Sequence, residues 1–415
     1  MEEEFTDRRK TLMDEVNTLQ DQIEREKLGY PWHNSTKQLI SGISYSKKTE
    51  ILPFEFYNRT HVMTTYMSAN MEPSILLIGR KKSNFEDMLS FVEKSLATDQ
   101  KRVRFINALR RTIPALGEVY EVLVGLPTSK EKHPLDVRSR SKVTVVRPFK
   151  PLTLVQSATV SELLPIDIVL SVNGSQIYTL PRFFNELLKA ARADGALSLT
   201  VFYSGGENVS AVSQMLCSGS IPVRVVRTSD GTSDGVDSLR KAFQNRDRNG
   251  DSLLFFTDVD LIMKEKTFVR CRYHAVKGRS VYYPIPFGLY NPYFIYPLVY
   301  KMKIPKFETR LLIKESHGRW QLGFYGASCQ YLSDFMKMTD GGHGLGTGPK
   351  KNPDELLFQK YLRSTYTVYR VYDPDIFHLY QPRRCATLPD QLFWTCILNK
   401  IHYTGPHVNM PLLIH

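Results

Sequence analysis

Apolar residues follow two rhythms along this chain. Between residues 5 and 27, Phe5, Leu12, Val16, Leu19 and Ile23 recur at intervals of seven, four, three and four, with charged side chains between them. That is heptad spacing. It predicts a helix, ended by Gly29 and Pro31. So short a heptad run suits either a helix docked on its own domain or a weak dimer made through residues 5–27.

Farther along, one unit recurs three times: strand, loop, amphipathic helix, polar turn, strand. The first runs from ILLIGR (75–80) through NFEDMLSFVEKSL to RVRFIN (102–107). The second runs from IVLSVNG (168–174) through LPRFFNELLKAAR to LSLTVFY (197–203). The third runs from VRVVRTSDG (223–231) through VDSLRKAFQ to SLLFFTDV (252–259). Met88, Leu89, Val92 and Leu96 line one helix face, Phe183, Phe184, Leu187 and Leu188 the next, and Leu239, Ala242 and Phe243 the last. The spacing between units is irregular. It fits degenerate repeats or independent α/β units, not a solenoid.

Residues 263–335 predict mostly β structure, with FETRLLIKES and RWQLGFYG forming a hairpin about His317-Gly318. CQYLSDFMKM and PDELLFQKYLRS predict helices, YTVYRVY a strand, and the Gly/Pro/Lys stretch 339–353 a linker. Residues 281–300 carry no charge over about the length of a membrane span. They also hold Pro284, Pro286, Pro292 and Pro297, which resist helix continuation. A buried aromatic β segment is expected there, and no transmembrane span.

At 415 residues the chain is too long for one ordinary core, so two to four domains are expected. Apolar content of 42% and charged content of 23% describe a folded soluble protein. A net charge of +13 favours anionic partners. The five cysteines are Cys217, Cys271, Cys329, Cys385 and Cys396; they are widely spaced, with no C-x-x-C, so neither a disulfide framework nor a zinc site is expected. The charged N-terminus MEEEFTDRRK lacks an apolar signal segment. A cytoplasmic location follows, with peripheral membrane or nuclear placement as alternatives.

Chemistry-bearing motifs are sparse. Gly342, Gly344, Gly346 and Gly348 alternate, but Pro349 follows them and no helix opens with Gly-Lys-Ser/Thr, so no phosphate loop is expected. Asn245, Asp247, Asn249 and Gly250 resemble the start of a calcium loop, yet its last position is Phe256, so a polar turn is the better account. No H-E-x-x-H, G-x-S-x-G or S-x-x-K occurs in a catalytic context. Neither catalysis nor a cofactor or metal is expected. Lys81, Lys82, Arg102, Arg104, Arg110 and Arg111 form a candidate anion-binding patch for an anionic lipid such as a phosphoinositide, or for nucleic acid such as RNA.

The stretch 156–203, QSATVSELLPIDIVLSVNGSQIYTLPRFFNELLKAARADGALSLTVFY, resembles the second half of a PDZ domain. Asp167 matches that family's aspartate at a strand start, where it accepts backbone N–H groups, and Asn173-Gly174 matches its turn, which needs positive φ. Ile166 departs from the usual glycine. The resemblance extends over about 119–204, and residues 36–112 resemble a second, degenerate copy. It implies an α+β multidomain chain: a PDZ-like, partly open β-barrel with two helices, further β-rich modules and a short N-terminal helix. The divisions are then 1–30, 36–112, 115–206, 207–338, the 339–353 linker and 354–415.

By the same resemblance, an extended peptide would add as a strand beside residues 135–140. Pro134, Leu135, Asp136, Val137 and Arg138 would form its loop, and Arg182, Phe183 and Leu187 its groove helix. Asp136 stands where a terminal carboxylate would be held, so an extended peptide is expected without preference for a free C-terminus. The functional expectation is a non-enzymatic intracellular scaffold that binds peptide segments of partner proteins. The alternatives are a basic anion-binding protein and an enzyme with a PDZ-like accessory domain.

Overall fold

The computed structural model describes residues 54–64, 73–96, 103–113, 117–126, 139–147, 152–160, 164–192, 194–205, 209–216, 221–228, 251–340 and 353–381, with Leu239, Phe243, Thr404 and Gly405. These fall in one compact unit, Ser44–His415. The heptad helix at 5–27 and the glycine-rich linker lie outside the described residues.

Two sheets carry the fold. The first contains β1 (Glu55–Tyr57), β2 (His61–Met63), β3 (Ser74–Leu76), β4 (Arg104–Ile113), β5 (Gly117–Leu126), β6 (Ser139–Arg147) and β7 (Thr153–Val160). Its order is β3-β2-β1-β4-β5-β6-β7, antiparallel throughout. Helix α1 (Gly79–Leu96) covers one face, burying Phe85, Met88 and Val92 against Tyr57, Phe105, Tyr120 and Val143. The helical pattern read from residues 85–96 produces this contact: residues three and four apart share one side.

The second sheet is mixed. Strands β8 (Ile166–Asn173), β9 (Leu197–Ser204), β10 (Val223–Arg227) and β11 (Leu253–Thr257) run parallel in the order β10-β9-β8-β11. β15 (Ser328–Tyr331) adds antiparallel to β11, then come β13 (Ser280–Leu289), β16 (Thr367–His378) and β12 (Leu261–Met263), with β14 (Gly318–Trp320) pairing β13. Alternate residues of β8 face opposite layers. Ile166, Ile168 and Leu170 meet Phe183, Phe184 and Leu187 of α2 (Leu180–Ala191). Val169 belongs to the other layer, with Phe335 of α5 (Leu332–Thr339) and Phe358 and Tyr361 of α6 (Pro353–Arg363). Two further helices are α3 (Val209–Leu216) and α4 (Glu265–His274).

This architecture is a Rossmann-like sheet with an additional antiparallel sheet, and it corrects the expected PDZ-like barrel. Residues 119–204 are shared between both sheets: β5, β6 and β7 belong to the first, β8 and β9 to the second. β8 and β9 are parallel neighbours joined through α2, and β8 continues sideways into β11, so no barrel closes around them. Asn173 and Gly174 make no tight reversal. They lead into a 3₁₀ turn, Gly174–Thr179, and neither has positive φ.

Asp167 has a different task from the one expected of it. Its carboxylate accepts hydrogen bonds from the hydroxyls of Ser198 (3.1 Å) and Thr200 (3.0 Å) on β9. It ties two parallel strands together by side chains. Replacing Asp167 with alanine leaves the buried Thr200 hydroxyl short of an acceptor and should lower stability by roughly 1–3 kcal/mol. An unchanged urea midpoint for the full chain would contradict this role.

The uncharged stretch at 281–300 begins as β13, every residue of which is buried. Pro286 falls at a register shift between Ile285 and Phe287, where a missing ladder donor is tolerated. No described helix is long and apolar enough to cross a membrane. The expected hairpin at 317–318 does not form. β14 pairs β13 instead, so closely that a Cβ on Gly318 would stand 2.2 Å from the Gly288 carbonyl oxygen. Cys271 of α4 is disulfide-bonded to Cys329 of β15, a bond that the wide cysteine spacing did not suggest. Closing a loop of 58 residues contributes on the order of 4 kcal/mol in the chain-entropy account.

Candidate active site

The order β10-β9-β8-β11 reverses direction between β8 and β11. In open α/β sheets the crevice at the carboxyl ends of two such strands is where ligands bind, because the chain leaves them in opposite directions. β8 ends there at Asn173. β11 ends at Thr257, and the next three residues are Asp258, Val259 and Asp260. A turn follows, with the Leu261 N–H donating to the Asp258 carbonyl at 3.1 Å, before β12 begins.

Several contacts hold this acidic pair in place. The Leu379 N–H donates to the Asp260 carbonyl at 2.9 Å, which ties the pair to the end of β16. Gln381 donates its side-chain amide to the Asp260 carboxylate, and Arg182 of α2 stands 3.9 Å from it. On the other side, a Cβ on Gly326 would lie 2.7 Å from an Asp258 carboxylate oxygen, so only glycine lets the 322–327 loop come this close. Arg370 holds that loop by donating to the carbonyls of Leu322 (2.8 Å) and Phe324 (2.6 Å). β16 is fixed from beneath by buried Arg270, which pairs with Asp373 and, at 2.8 Å, with Asp375, while Tyr282 donates to Asp373 at 2.6 Å.

A third carboxylate completes the cluster. Asp354, in the first turn of α6, shares a small cavity with Tyr283, Tyr325 and Gly326. Burial raises the Asp354 carboxyl to about 6. Burial, then the charges of Asp354 and Asp260, push Asp258 up to about 7. Burial also raises Asp260, opposed by Gln381 and Arg182. No lysine or arginine pairs with Asp258 among the described residues. Asp258 thus lies between two like charges, and a proton or a cation would relieve it.

Residues 2–410 of the chain match the sequence profile described as chondroitin N-acetylgalactosaminyltransferase. The chain belongs to that family. Human chondroitin sulfate N-acetylgalactosaminyltransferase 2 is 30% identical over 293 residues, which cover 67% of this chain and 52% of that protein. Human chondroitin sulfate N-acetylgalactosaminyltransferase 1 is 24% identical over 396 residues, covering 91% of this chain and 71% of that protein. The chain thus spans about half the length of the first of these relatives. Among solved structures, GalNAc-T7 with UDP, GalNAc and Mn2+ has a TM-score of 0.36 at 14% identity, covering 53% of this chain and 44% of that one. The galactosyltransferase LgtC with donor and acceptor sugar analogs has a TM-score of 0.32 at 11% identity, covering 59% of this chain and 99% of that one.

Membership in the chondroitin N-acetylgalactosaminyltransferase family overturns the PDZ resemblance at 119–204, its degenerate copy at 36–112 and the non-enzymatic scaffold that followed from them. It overturns with them the peptide, anionic-lipid and nucleic-acid partners. The structure places the residues singled out for those roles as follows. Pro134, Leu135, Asp136, Val137, Arg138 and Arg102 lie outside the described residues. Phe183 and Leu187 are buried in the core beneath the second sheet. Arg182 is half exposed and belongs to the acidic site. Asp167 sits within the sheet, and Asn173 and Gly174 sit at the crevice where β8 ends.

The described basic residues are mostly paired with acids, and Lys81 and Arg110 share Glu55. Lys81 lies 3.6 Å from Glu55, and Lys82 lies 3.8 Å from Glu86. Arg110 is paired with Glu55 and Glu118, and buried Arg111 lies over the Phe54 ring at 4.7 Å. Arg104 is exposed on β4. The residues that sequence reasoning missed are Asp258, Asp260 and Asp354. The available signal was an Asp-x-Asp one residue after the apolar run LLFF.

Proposed function

We propose that this chain carries the catalytic core of a GT-A-like glycosyltransferase that moves N-acetylgalactosamine from a UDP-sugar donor to a chondroitin acceptor. The observation that carries the reading is the carboxylate cluster at the β8/β11 switch point, in a chain of this family.

The donor's diphosphate belongs in the crevice beside Asp258 and Asp260. Among the described residues no three His, Cys, Asp or Glu side chains group to hold a metal. Two carboxylates supplemented by substrate phosphates are nevertheless a normal oxygen donor set for a hard divalent cation such as Mg²⁺ or Mn²⁺. Asp258, raised by burial and by its acidic neighbours, is a group that such a charge would satisfy. This differs from the expectation of no metal. Bound there, the cation would offset the negative charge that grows on the leaving diphosphate.

The remaining chemistry falls to the chain's own groups. An acceptor hydroxyl attacks the anomeric carbon, the bond to the diphosphate oxygen breaks with its electron pair, and the hydroxyl proton must be taken up. Asp354 is suited to accept it. Its carboxyl is raised toward neutrality, so it is ionised at pH 7 yet basic enough to take a proton. Arg370 fixes the 322–327 loop and so keeps Gly326 against Asp258. A titration of UDP-GalNAc into the chain, with and without Mn²⁺, tests the donor site. Saturable binding strengthened by the cation is expected, and no binding under either condition would reject the proposal.

A further inference from the structure

A cavity of about 360 Å³ opens next to Asp260, on the side occupied by α2. Its size lies within the range of about 300–1,000 Å³ usual for small-molecule sites. Tyr290, Tyr293, Tyr296 and Phe307 supply aromatic walls, and Arg182 and Arg310 supply positive charge. Among the described residues no aspartate or glutamate lines it. We propose that this cavity is the subsite for the terminal uronic acid of the acceptor, with Arg310 the residue that reads its carboxylate. The inference rests on the transferase reading above.

The two arginines differ in what already occupies them. Arg182 is turned toward Asp260, at 3.9 Å. Arg310 lies over the Phe307 ring at 5.2 Å, and its buried Nε has no hydrogen-bond partner among the described residues. A guanidinium placed over an aromatic ring, with its Nε still without a partner, suits a planar carboxylate. Its position is also fixed in advance. It ends the turn Phe307–Arg310, where the Thr309 hydroxyl donates to the Lys306 carbonyl at 2.7 Å and Glu308 pairs with Lys189 of α2 at 3.3 Å.

The aromatic walls are equally set. Asn291 accepts the Tyr293 N–H at 3.0 Å and caps the turn that carries Tyr293. The Asn291 N–H donates to the Thr404 carbonyl at 3.2 Å. Rings with polar tips give a sugar both an apolar face to stack on and hydroxyl partners. Chondroitin alternates a uronic acid with N-acetylgalactosamine, so a chain about to receive the latter ends in the former. A basic, acid-free aromatic cavity beside the donor crevice matches that end group.

The test is a calorimetric titration of the full chain with a chondroitin oligosaccharide ending in glucuronate and with its carboxyl-reduced counterpart. UDP-GalNAc is titrated in parallel. Wild type should bind the uronate about 10–100-fold more tightly than the reduced sugar, the span of one charge-assisted contact. Arg310→Gln should bind the two alike and bind UDP-GalNAc as wild type does. Arg310→Lys should keep part of the preference. A preference intact in Arg310→Gln, or no preference in wild type, overturns the subsite while donor binding leaves the transferase reading standing. If Arg310→Gln weakens UDP-GalNAc and spares the oligosaccharide, Arg310 serves the donor diphosphate and the proposal is also overturned. A wild-type chain that binds no UDP-GalNAc rejects the transferase reading itself.

Discussion

Asp260→Asn should abolish most transfer activity, by about 10³-fold in turnover, while leaving the protein folded. The asparagine keeps the shape and the contact with Gln381 but removes a charge that the donor site needs. Stability should not suffer, because the native carboxylates repel. Asp258 has a folded value of about 7 against an ordinary 3.8, so the folded chain holds its proton more tightly than the unfolded chain does. That group therefore weakens the fold above about pH 7, and the penalty fades as pH falls from 7 toward 3.8. In Asp260→Asn one neighbouring charge is gone and the Asp258 carboxyl should move down. Thermal melts at pH 5.5 and pH 8 should accordingly differ less in the variant than in wild type. A variant with near-normal turnover would remove Asp260 from the site.

Asp354→Asn should lower turnover by about 10²–10⁴-fold, the usual worth of a positioned general base. The pH profile carries more information than the rate. A base must be unprotonated, so wild-type activity should fall on the acid side near pH 6, about tenfold per unit, as Asp354 takes up its proton. Asp258 titrates close by and the two carboxylates repel, so the acid limb belongs to the pair. In Asp354→Asn the limb should shift to lower pH, since Asp258 loses a like-charged neighbour. Donor affinity should change little. An unaltered acid limb in the variant would assign the proton transfer elsewhere.

Local pattern revealed the pieces and concealed their assembly. The unit at 168–203 was legible as strand, helix and strand, and Phe183, Phe184 and Leu187 fall on the buried face their spacing implies. The same local order also occurs in a PDZ domain, and Asn173-Gly174 invited that comparison. What separates the two is the partner of β8, and that partner is β11, more than a helix and two strands farther along the chain. Pairing at such distance leaves no mark on either segment beyond an apolar run. Asp258 and Asp260 were hidden for the same reason. Two acids after a strand are ordinary until the strand order places them at the crevice. Asp354 looked like one more charge at a helix start, and its raised carboxyl comes from burial beneath a loop held by Arg370. Cys271 and Cys329 lie 58 residues apart, and only the packing of α4 against the second sheet brings them together.

The most direct test of the central claim is a transfer assay with UDP-GalNAc, Mn²⁺ and a chondroitin oligosaccharide ending in glucuronate, with wild type and Asp260→Asn side by side. Mass spectrometry of the oligosaccharide and release of UDP are both followed. The account predicts a product one N-acetylgalactosamine longer, with equimolar UDP, from wild type and almost none from the variant. An oligosaccharide left unextended by wild type, or extended equally by both proteins, would contradict it.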